Sequence, residues 1–384
     1  MKLLFVGSEI RHELGCATSL ALLGYDVIYL HVGSKYEPLS WRETCLDYAC
    51  LKVKILEIPH PTLLQTLLHV KSLVPKVILQ YNPDAVIATP SVPYYIGKYL
   101  ASLNDVPLIL RVWGVRANKL VEHIVYGKNY LEIIGFIPSV IHVLNQVYGS
   151  RIVITLDNST LKFIKSLTLT RLKRMKLIYP TYAALYEETS PHFTLETMLP
   201  EIAQTEGYIL GIVTMSKSGP VFKFEQQPLF KILYVIAKKL KDISVIVCCG
   251  TREEAIRKFK VDPPKNMKFI PSGVPDDILK LLYEESSLMV IPVFFKSVSN
   301  RLLEALFYKK PILTNSIALE LHPELRDCVI VSDNYNKYPE IINDLLKQDN
   351  ILEELQQRVK TVWDRFFSSK VQAREMLKVI KEVI

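Results

Sequence analysis

Short apolar runs rich in β-branched and aromatic residues recur along this chain at intervals that leave room for one helix between neighbours, and the series occurs twice. KLLFVGS (2–8), DVIYLHV (26–32), KVKILEI (52–58), DAVIAT (84–89), PLILRVW (107–113), SVIHVL (139–144) and RIVITL (151–156) form the first series. GYILGIVT from Gly207, DISVIVCCG, NMKFIPSGV, SSLMVIPV, KPILTN and DCVIVSD form the second. Strands covered on both faces read as near-continuous apolar runs, and strands that alternate with helices close into parallel sheets. Asn82-Pro83-Asp84 and Asp105-Val106-Pro107 punctuate the first series as turns. The pattern predicts an α/β protein of two doubly wound parallel-sheet domains.

Length agrees with that division, because 384 residues exceed what one core usually supports and 49% apolar content is ample for burial. Residues 186–206, rich in Glu, Thr and Pro, read as a linker. The first domain then covers 1–185 and the second 207–365. The first strand ends at Gly7-Ser8, but the turn GSEIRHELG is not a G-x-G-x-x-G fingerprint, which argues against a nicotinamide or flavin dinucleotide. The six cysteines form no Cys-x-x-Cys pair, and Cys45 and Cys50 have no histidines at zinc spacing, so buried free thiols in a reducing cytosol are expected. MKLLFVGSEIRHE turns polar too early for a signal peptide. The uncharged run Ile133 to Ser150 contains Pro138, His142, Asn145 and Gln146 and is too short and polar to span a bilayer.

The densest chemistry lies in IPVFFKSVSNRLLEALFYKKPILT, residues 291–314. An apolar strand ends in a polar loop, the loop opens a helix, and the helix runs into a second apolar strand. Ser297, Ser299 and Asn300 are residue types found at a helix start, where free N–H groups and the positive dipole end favour an anion such as phosphate. Glu304 lies one turn inside, where a carboxylate can accept hydrogen bonds from vicinal sugar hydroxyls.

This segment resembles the donor-site motif of nucleotide-sugar glycosyltransferases of the GT-B fold, the group called glycosyltransferase family four. Asn300-Arg301, Glu304-Ala305 and Lys310-Pro311-Ile312 match its common variant, whereas Lys309 replaces a usual Gly and Lys296 stands where the fuller motif has a first Glu. The resemblance implies two Rossmann-like domains facing a cleft, a last helix (366–384) crossing back to the first domain, and a ribose-binding role for Glu304. It also implies that backbone amides at the helix start bind the donor diphosphate. Gly211 followed by Lys217 resembles the family's basic phosphate loop, with Ile212 in place of its Arg and Lys223 near enough to replace that charge. Gly250-Thr251 and Ser272-Gly273-Val274 match the loops that flank the nucleobase. In the first domain Trp113 stands where the family has a catalytic His; it can stack on a sugar face and donate one hydrogen bond. Arg111 and Arg116 flank it on the acceptor side, with Gly7 and Ser8, and His12 and Glu13 are the other polar candidates for the cleft.

Sugar transfer develops negative charge on the departing nucleoside diphosphate, which a helix N-terminus with Lys217 and Arg301 would stabilise without a metal. The chain has no Asp-x-Asp and is expected to use no cofactor or metal beyond the donor. Relatives of this type mostly retain anomeric configuration; an inverting enzyme would need Glu9, His12 or Glu13 as base. Two other functions fit the same plan. One is a catalytically silent relative that binds nucleotide or glycan, suggested by Lys296, Ile212 and Trp113; the other is a nucleotide-sugar epimerase. A glycan, lipid-linked or protein acceptor is expected, and the sequence does not choose among them.

The net charge of +8 is confined to the first half: residues 1–185 hold 20 basic and 12 acidic side chains, whereas 186–384 hold 27 of each. KFIKSLTLTRLKRMK, residues 162–176, has six bases and no acid. Such a run is ordinarily a solvated face; its sharper reading is a surface for an anionic membrane, which would make the protein cytoplasmic and peripheral at the inner membrane face. Nucleic acid is disfavoured, because no binding motif accompanies the run.

Overall fold

In a computed structural model the described residues are 1–8, 13–33, 52–59, 61–113, 131–168, 174–180, 194–204, 207–212, 223–248, 250–271, 276–294, 296 and 299–384. They divide into two compact units. The first comprises 1–189, 296–298 and 366–384; the second comprises 190–295 and 299–365.

The first unit holds seven strands: β1 (Lys2–Gly7), β2 (Asp26–Val32), β3 (Lys54–Ile58), β4 (Ala85–Ala88), β5 (Leu108–Val112), β6 (Ile152–Thr155) and β7 (Met175–Leu177). Their order is β3-β2-β1-β4-β5-β6-β7, and every neighbouring pair is parallel. The main helices before the second unit are α1 (Gly15–Leu22), α2 (Leu63–Leu73), α3 (Val92–Asn104), α4 (Leu131–Tyr148) and α5 (Asn158–Leu167). The second unit repeats the plan with β8 (Tyr208–Ile212), β9 (Ser244–Cys248), β10 (Met267–Ile270), β11 (Leu288–Val290), β12 (Ile312–Thr314) and β13 (Ile330–Val331). Its order is β10-β9-β8-β11-β12-β13, again all parallel. The main helices are α6 (Lys223–Lys239), α7 (Arg252–Phe259), α8 (Asp276–Glu285), α9 (Asn300–Phe307), α10 (Ser316–Leu321), α11 (Tyr338–Leu346) and α12 (Asp349–Val362). Both sheets are therefore doubly wound, with the strand order reversing at β1/β4 and at β8/β11, and the two-domain α/β expectation is met.

The strands form because their apolar runs are covered on both sides: β4, β5, β6 and β8 are buried along their whole length. Leu4, Val6, Ile28, Val86, Leu110 and Val153 anchor one core, and Ile209, Leu233, Val245, Val247, Val290 and Leu313 anchor the other. Gly211 sits in mid-strand where a Cβ would meet Leu233 Cδ1 of α6 at 2.3 Å, so glycine is what lets that helix close on the sheet. The described part of 186–206 holds two short helical turns, Leu195–Met198 and Pro200–Ala203, each with an acid in its first turn.

One expected strand is wrong. SVIHVL lies inside α4, not in the sheet. Only six residues separate it from RIVITL, whereas two parallel strands need a crossover of about a dozen; the helix is the only element that fits the connection. The sheet's actual edge, β7, lies at Met175–Leu177 within the basic run, where a three-residue strand has too little periodicity to be seen.

After α12 the chain makes a single π-helical turn, Trp363–Phe367, and enters α13 (Ser369–Lys381). Residues 366–384 belong to the first unit, where α13 packs on α1 through a buried face that includes Ala373, Met376 and Ile380. Among the described residues no helix is long and apolar enough to cross a membrane. Cys16, Cys248 and Cys328 are buried free thiols; Cys45, Cys50 and Cys249 lie outside the described residues.

Candidate functional site

In open doubly wound sheets ligands bind beyond the carboxyl ends of the strands, where the strand order reverses. In the second unit that point is the end of β8 beside β11. There the Arg301 guanidinium, from the first turn of α9, donates to the carbonyl of Ile212 at 2.9 Å. The position that lacks the phosphate-loop Arg in sequence is thus reached in space by Arg301. Ser299 occupies the N-cap of α9 but its side chain makes no cap hydrogen bond. By contrast, Thr62 and Thr251 each cap their helices with a full capping box. The start of α9, where the dipole is positive, is thus not closed by its own N-cap side chain.

The approach to α9 is held by two residues at the end of β12 that sequence reasoning passed over. Thr314 Oγ1 donates to Ile291 O at 2.7 Å. Asn315 accepts from Val293 N at 3.0 Å and donates to Val293 O at 2.7 Å and to Tyr335 Oη at 3.0 Å. Together they extend the backbone after β11 and fix where the loop leaves the sheet. An Asn ending a strand in KPILTN was the available signal.

Glu304 is 3% exposed, and Tyr283 of α8 donates its hydroxyl to Glu304 Oε2. Burial and the adjacent Glu304 carboxylate push the Tyr283 phenol well above its ordinary range, so it stays a donor. Tyr283 also stacks on Tyr308, with centroids 4.8 Å apart. Lys310, matched as part of the motif, acts locally, its ammonium donating to the carbonyl of Glu284 near the end of α8. Burial lowers its pKa.

The remaining donor-side candidates divide. Gly250 donates its N–H to Ile270 O at 2.8 Å, and Thr251 is the cap of α7, its hydroxyl accepting from Glu254 N and its N–H donating to the Glu254 carboxylate. The Thr251 hydroxyl is thus engaged within the helix start. Asn300 is exposed in the first turn of α9. Lys223 begins α6. Lys217, Gly273, Val274 and Ser297 lie outside the described residues.

In the first unit the structure brings Gly7, Glu13, Arg111 and Trp113 to the carboxyl ends of β1 and β5. Arg111 is fully buried and pairs with Glu13, itself 1% exposed, at 2.6 Å. Trp113 Nε1 donates to the same Glu13 oxygen, and Arg111 lies 5.9 Å from the indole centroid. Gly7 is needed beside them, because a Cβ there would meet Tyr29 Oη at 2.9 Å and Glu13 Cβ at 3.3 Å. This cluster alters three expectations. Arg111, placed on the acceptor side by its sequence, is an interior cation paired with Glu13. Glu13, offered as a candidate for the cleft, already receives two donors from the fold. The Trp113 N–H expected to reach substrate is engaged internally, so only its half-buried ring remains for a sugar face. Ser8 is half-buried at the end of β1, and His12 and Arg116 lie outside the described residues. A residue the sequence did not single out, Ser91, holds φ +70° at the start of α3, just past the end of β4. A non-glycine residue in that region is strained, and such strain is concentrated at ligand sites.

The basic run is only partly a free surface. Lys162 and Lys165 are exposed on α5, 169–173 lie outside the described residues, and Lys176 is paired with Glu382 of the first unit at 2.9 Å. Arg151, Arg174, Lys176 and Glu382 line a pocket of about 170 Å³ at the amino ends of β6 and β7, the end of the sheet opposite to that used for ligands in such folds. No group of three or more metal-ligating side chains occurs among the described residues.

No protein-family model matches the chain, and no curated protein matches it in sequence. Solved structures do match. HepE of Anabaena, in complex with UDP and glucose, is 12% identical with a TM-score of 0.67, over 100% of both chains. The UDP-GlcNAc 2-epimerase of Neisseria meningitidis bound to UDP-GlcNAc is 14% identical with a TM-score of 0.62, again over 100% of both chains. The N-terminal domain of Candida albicans trehalose-6-phosphate phosphatase is 11% identical with a TM-score of 0.63, covering 100% of this chain and 97% of that one. At these identities the likeness is one of fold, and the chain has the GT-B fold of two doubly wound parallel-sheet domains.

Proposed function

We propose that the protein is a glycosyltransferase of the family-four type that takes its sugar from a nucleoside-diphosphate donor, bound in the second unit at the β8/β11 switch point. The observation that carries this is the Arg301 guanidinium held at the end of β8, beside the start of α9. A cation and the positive end of a helix dipole both favour an anion such as a diphosphate, and here they come from the same first turn of α9. Glu304 accepts the ribose hydroxyls, with Tyr283 orienting the carboxylate through Oε2. The neighbours solved with UDP, UDP-glucose and UDP-GlcNAc support a uridine nucleotide as the first one to try.

In this mechanism Arg301 and the α9 amides stabilise the charge that grows on the leaving diphosphate, the role a metal has elsewhere. Of the three candidate bases for an inverting route, Glu13 is engaged by Arg111 and Trp113, and Glu9 and His12 lie outside the described residues; the proposed route is retention, which needs no such base. Turnover is expected to persist in excess chelator, and complete loss with EDTA restored by Mg²⁺ would refute metal independence.

The two alternatives are separated by one incubation with UDP-glucose and UDP-GlcNAc, read by NMR. Slow release of glucose or GlcNAc with UDP supports a transferase. Free 2-epimer would assign the protein to the epimerases, whose members share its fold. Binding without turnover, with any acceptor tried, would make it a silent nucleotide-binding relative.

A further inference from the structure

The first unit leaves an apolar face uncovered among the described residues. On α2, Leu64, Leu67 and Leu68 are 66, 55 and 66% exposed, and their i, i+3, i+4 spacing puts them on one side of the helix, while Thr66 is fully buried on the other. The face does not stop at α2. The crossovers β3 to β4, β4 to β5 and β5 to β6 all step the same way along the sheet, and right-handed crossovers of one direction put α2, α3 and α4 on one side. α2 packs on α3, and Tyr95 of α3 meets His142 of α4 with rings 5.9 Å apart. On those helices Leu103 and Ile141 are also more than half exposed. Isolated exposed leucines need no explanation; three on one side of a helix, with further exposed apolar residues on the two neighbouring helices, mark an interaction surface.

The charge around this face selects the partner. Exposed Glu57 and Asp105 flank residues 58–104, which contain Lys71, Lys76 and Lys98, all exposed, and a single acid. That acid, Asp84, accepts the Lys2 backbone N–H at 2.7 Å. α5, on the same side, adds exposed Lys162 and Lys165 and no acid. A second copy of the chain would set these lysines against their own like charges. A phosphate-rich surface with an apolar layer beneath it satisfies both the lysines and the leucines.

We propose that this face lies on an anionic lipid bilayer, with Leu64, Leu67 and Leu68 at the acyl boundary and Lys71 and Lys76 among the headgroup phosphates. The surface so assigned is centred on α2 and not on the basic run 162–176, which contributes only its α5 portion.

The test is sedimentation of the full chain with vesicles of phosphatidylcholine alone or mixed with phosphatidylglycerol, at low and high salt, together with light scattering of the free protein. The wild type is expected to sediment with the anionic vesicles at low salt, well above neutral ones, and to come off as salt rises. The triple variant Leu64→Ser, Leu67→Ser, Leu68→Ser, whose substituted side chains are exposed, should keep its melting temperature and lose binding by about tenfold or more. Lys71→Gln with Lys76→Gln should reduce the preference for anionic over neutral vesicles. The proposal is overturned if the triple variant sediments as the wild type does, or if the wild type shows no preference for anionic vesicles. It is also overturned if the free protein is a dimer that the leucine variant dissociates, for then the face belongs to a second copy.

Discussion

Lys309 occupies a backbone position that asks for glycine. Its φ is +55°, and the amides of Lys309 and Lys310 return to the carbonyls of Leu306 and Ala305 in the close of a Schellman turn that ends α9. The departure from the family's Gly is offset by the ammonium, 4.8 Å from the Phe307 ring and 5.5 Å from Trp363. A left-handed lysine costs about 1 kcal/mol or slightly more, and a cation over a ring returns about 0.5–1. Lys309→Gly should therefore leave stability nearly unchanged, whereas Lys309→Ala, which keeps the strain and loses the ring contacts, should be less stable than the Gly variant by about 1 kcal/mol in urea denaturation. An Ala variant as stable as the Gly one contradicts this. His322 makes a second residue-level prediction. It is fully buried, and burial lowers its pKa to about 3. Above pH 6.5 the imidazole is neutral folded or unfolded. Below it the unfolded chain takes up a proton that the folded one refuses, so stability falls from pH 6.5 towards pH 3 by up to about 1.4 kcal/mol per pH unit. His322→Leu should flatten the decline in melting temperature between pH 7 and pH 5, whatever its effect on the value at pH 7; an unchanged slope rules the linkage out.

α9 was legible from its sequence because the apolar strand, polar loop, helix and Lys-Lys-Pro follow one another without interruption, and each step has a local cause. What no local cause reveals is the company α9 keeps. Tyr283, from α8, and Thr314 and Asn315, from the end of β12, shape the site through contacts across 20 to 23 residues of sequence. Arg301 reaches a carbonyl 89 residues away. The same limit explains SVIHVL, whose β-branched residues suit a strand but whose short connection to β6 requires a helix. It also explains Glu13, Arg111 and Trp113, which sequence offered as three separate substrate contacts and the fold joins into one buried ion pair with an indole donor. Tyr283→Phe tests the link between α8 and α9. It removes a donor from a buried carboxylate and should cost about 1–3 kcal/mol in denaturation and weaken nucleotide binding with it. A variant as stable as the wild type would show that the hydrogen bond does not hold the two helices.

At the scale of the molecule, the two units repeat one strand order, and the chain returns from the second to the first through the π-turn at Trp363–Phe367. α13 then covers α1 with Met376 and Ile380, each wholly buried. Burial of large apolar side chains is worth about 1.5–3 kcal/mol apiece against a typical stability of about 5–15 kcal/mol. A chain ending at Arg365 should thus show rapid proteolysis within residues 1–189 while 190–365 persists, and an unaltered fragment pattern would contradict that role for α13. The central claim concerns the second unit alone: a nucleoside diphosphate binds where Arg301 meets the end of β8. Titration calorimetry of the full chain with UDP, comparing wild type with Arg301→Ala and Glu304→Gln, tests it most directly. Loss of a charge-assisted hydrogen bond is worth about 1.5–3 kcal/mol, so each variant should bind at least about tenfold more weakly while melting as a folded protein. UDP affinity unchanged in a folded Arg301→Ala protein would contradict the account.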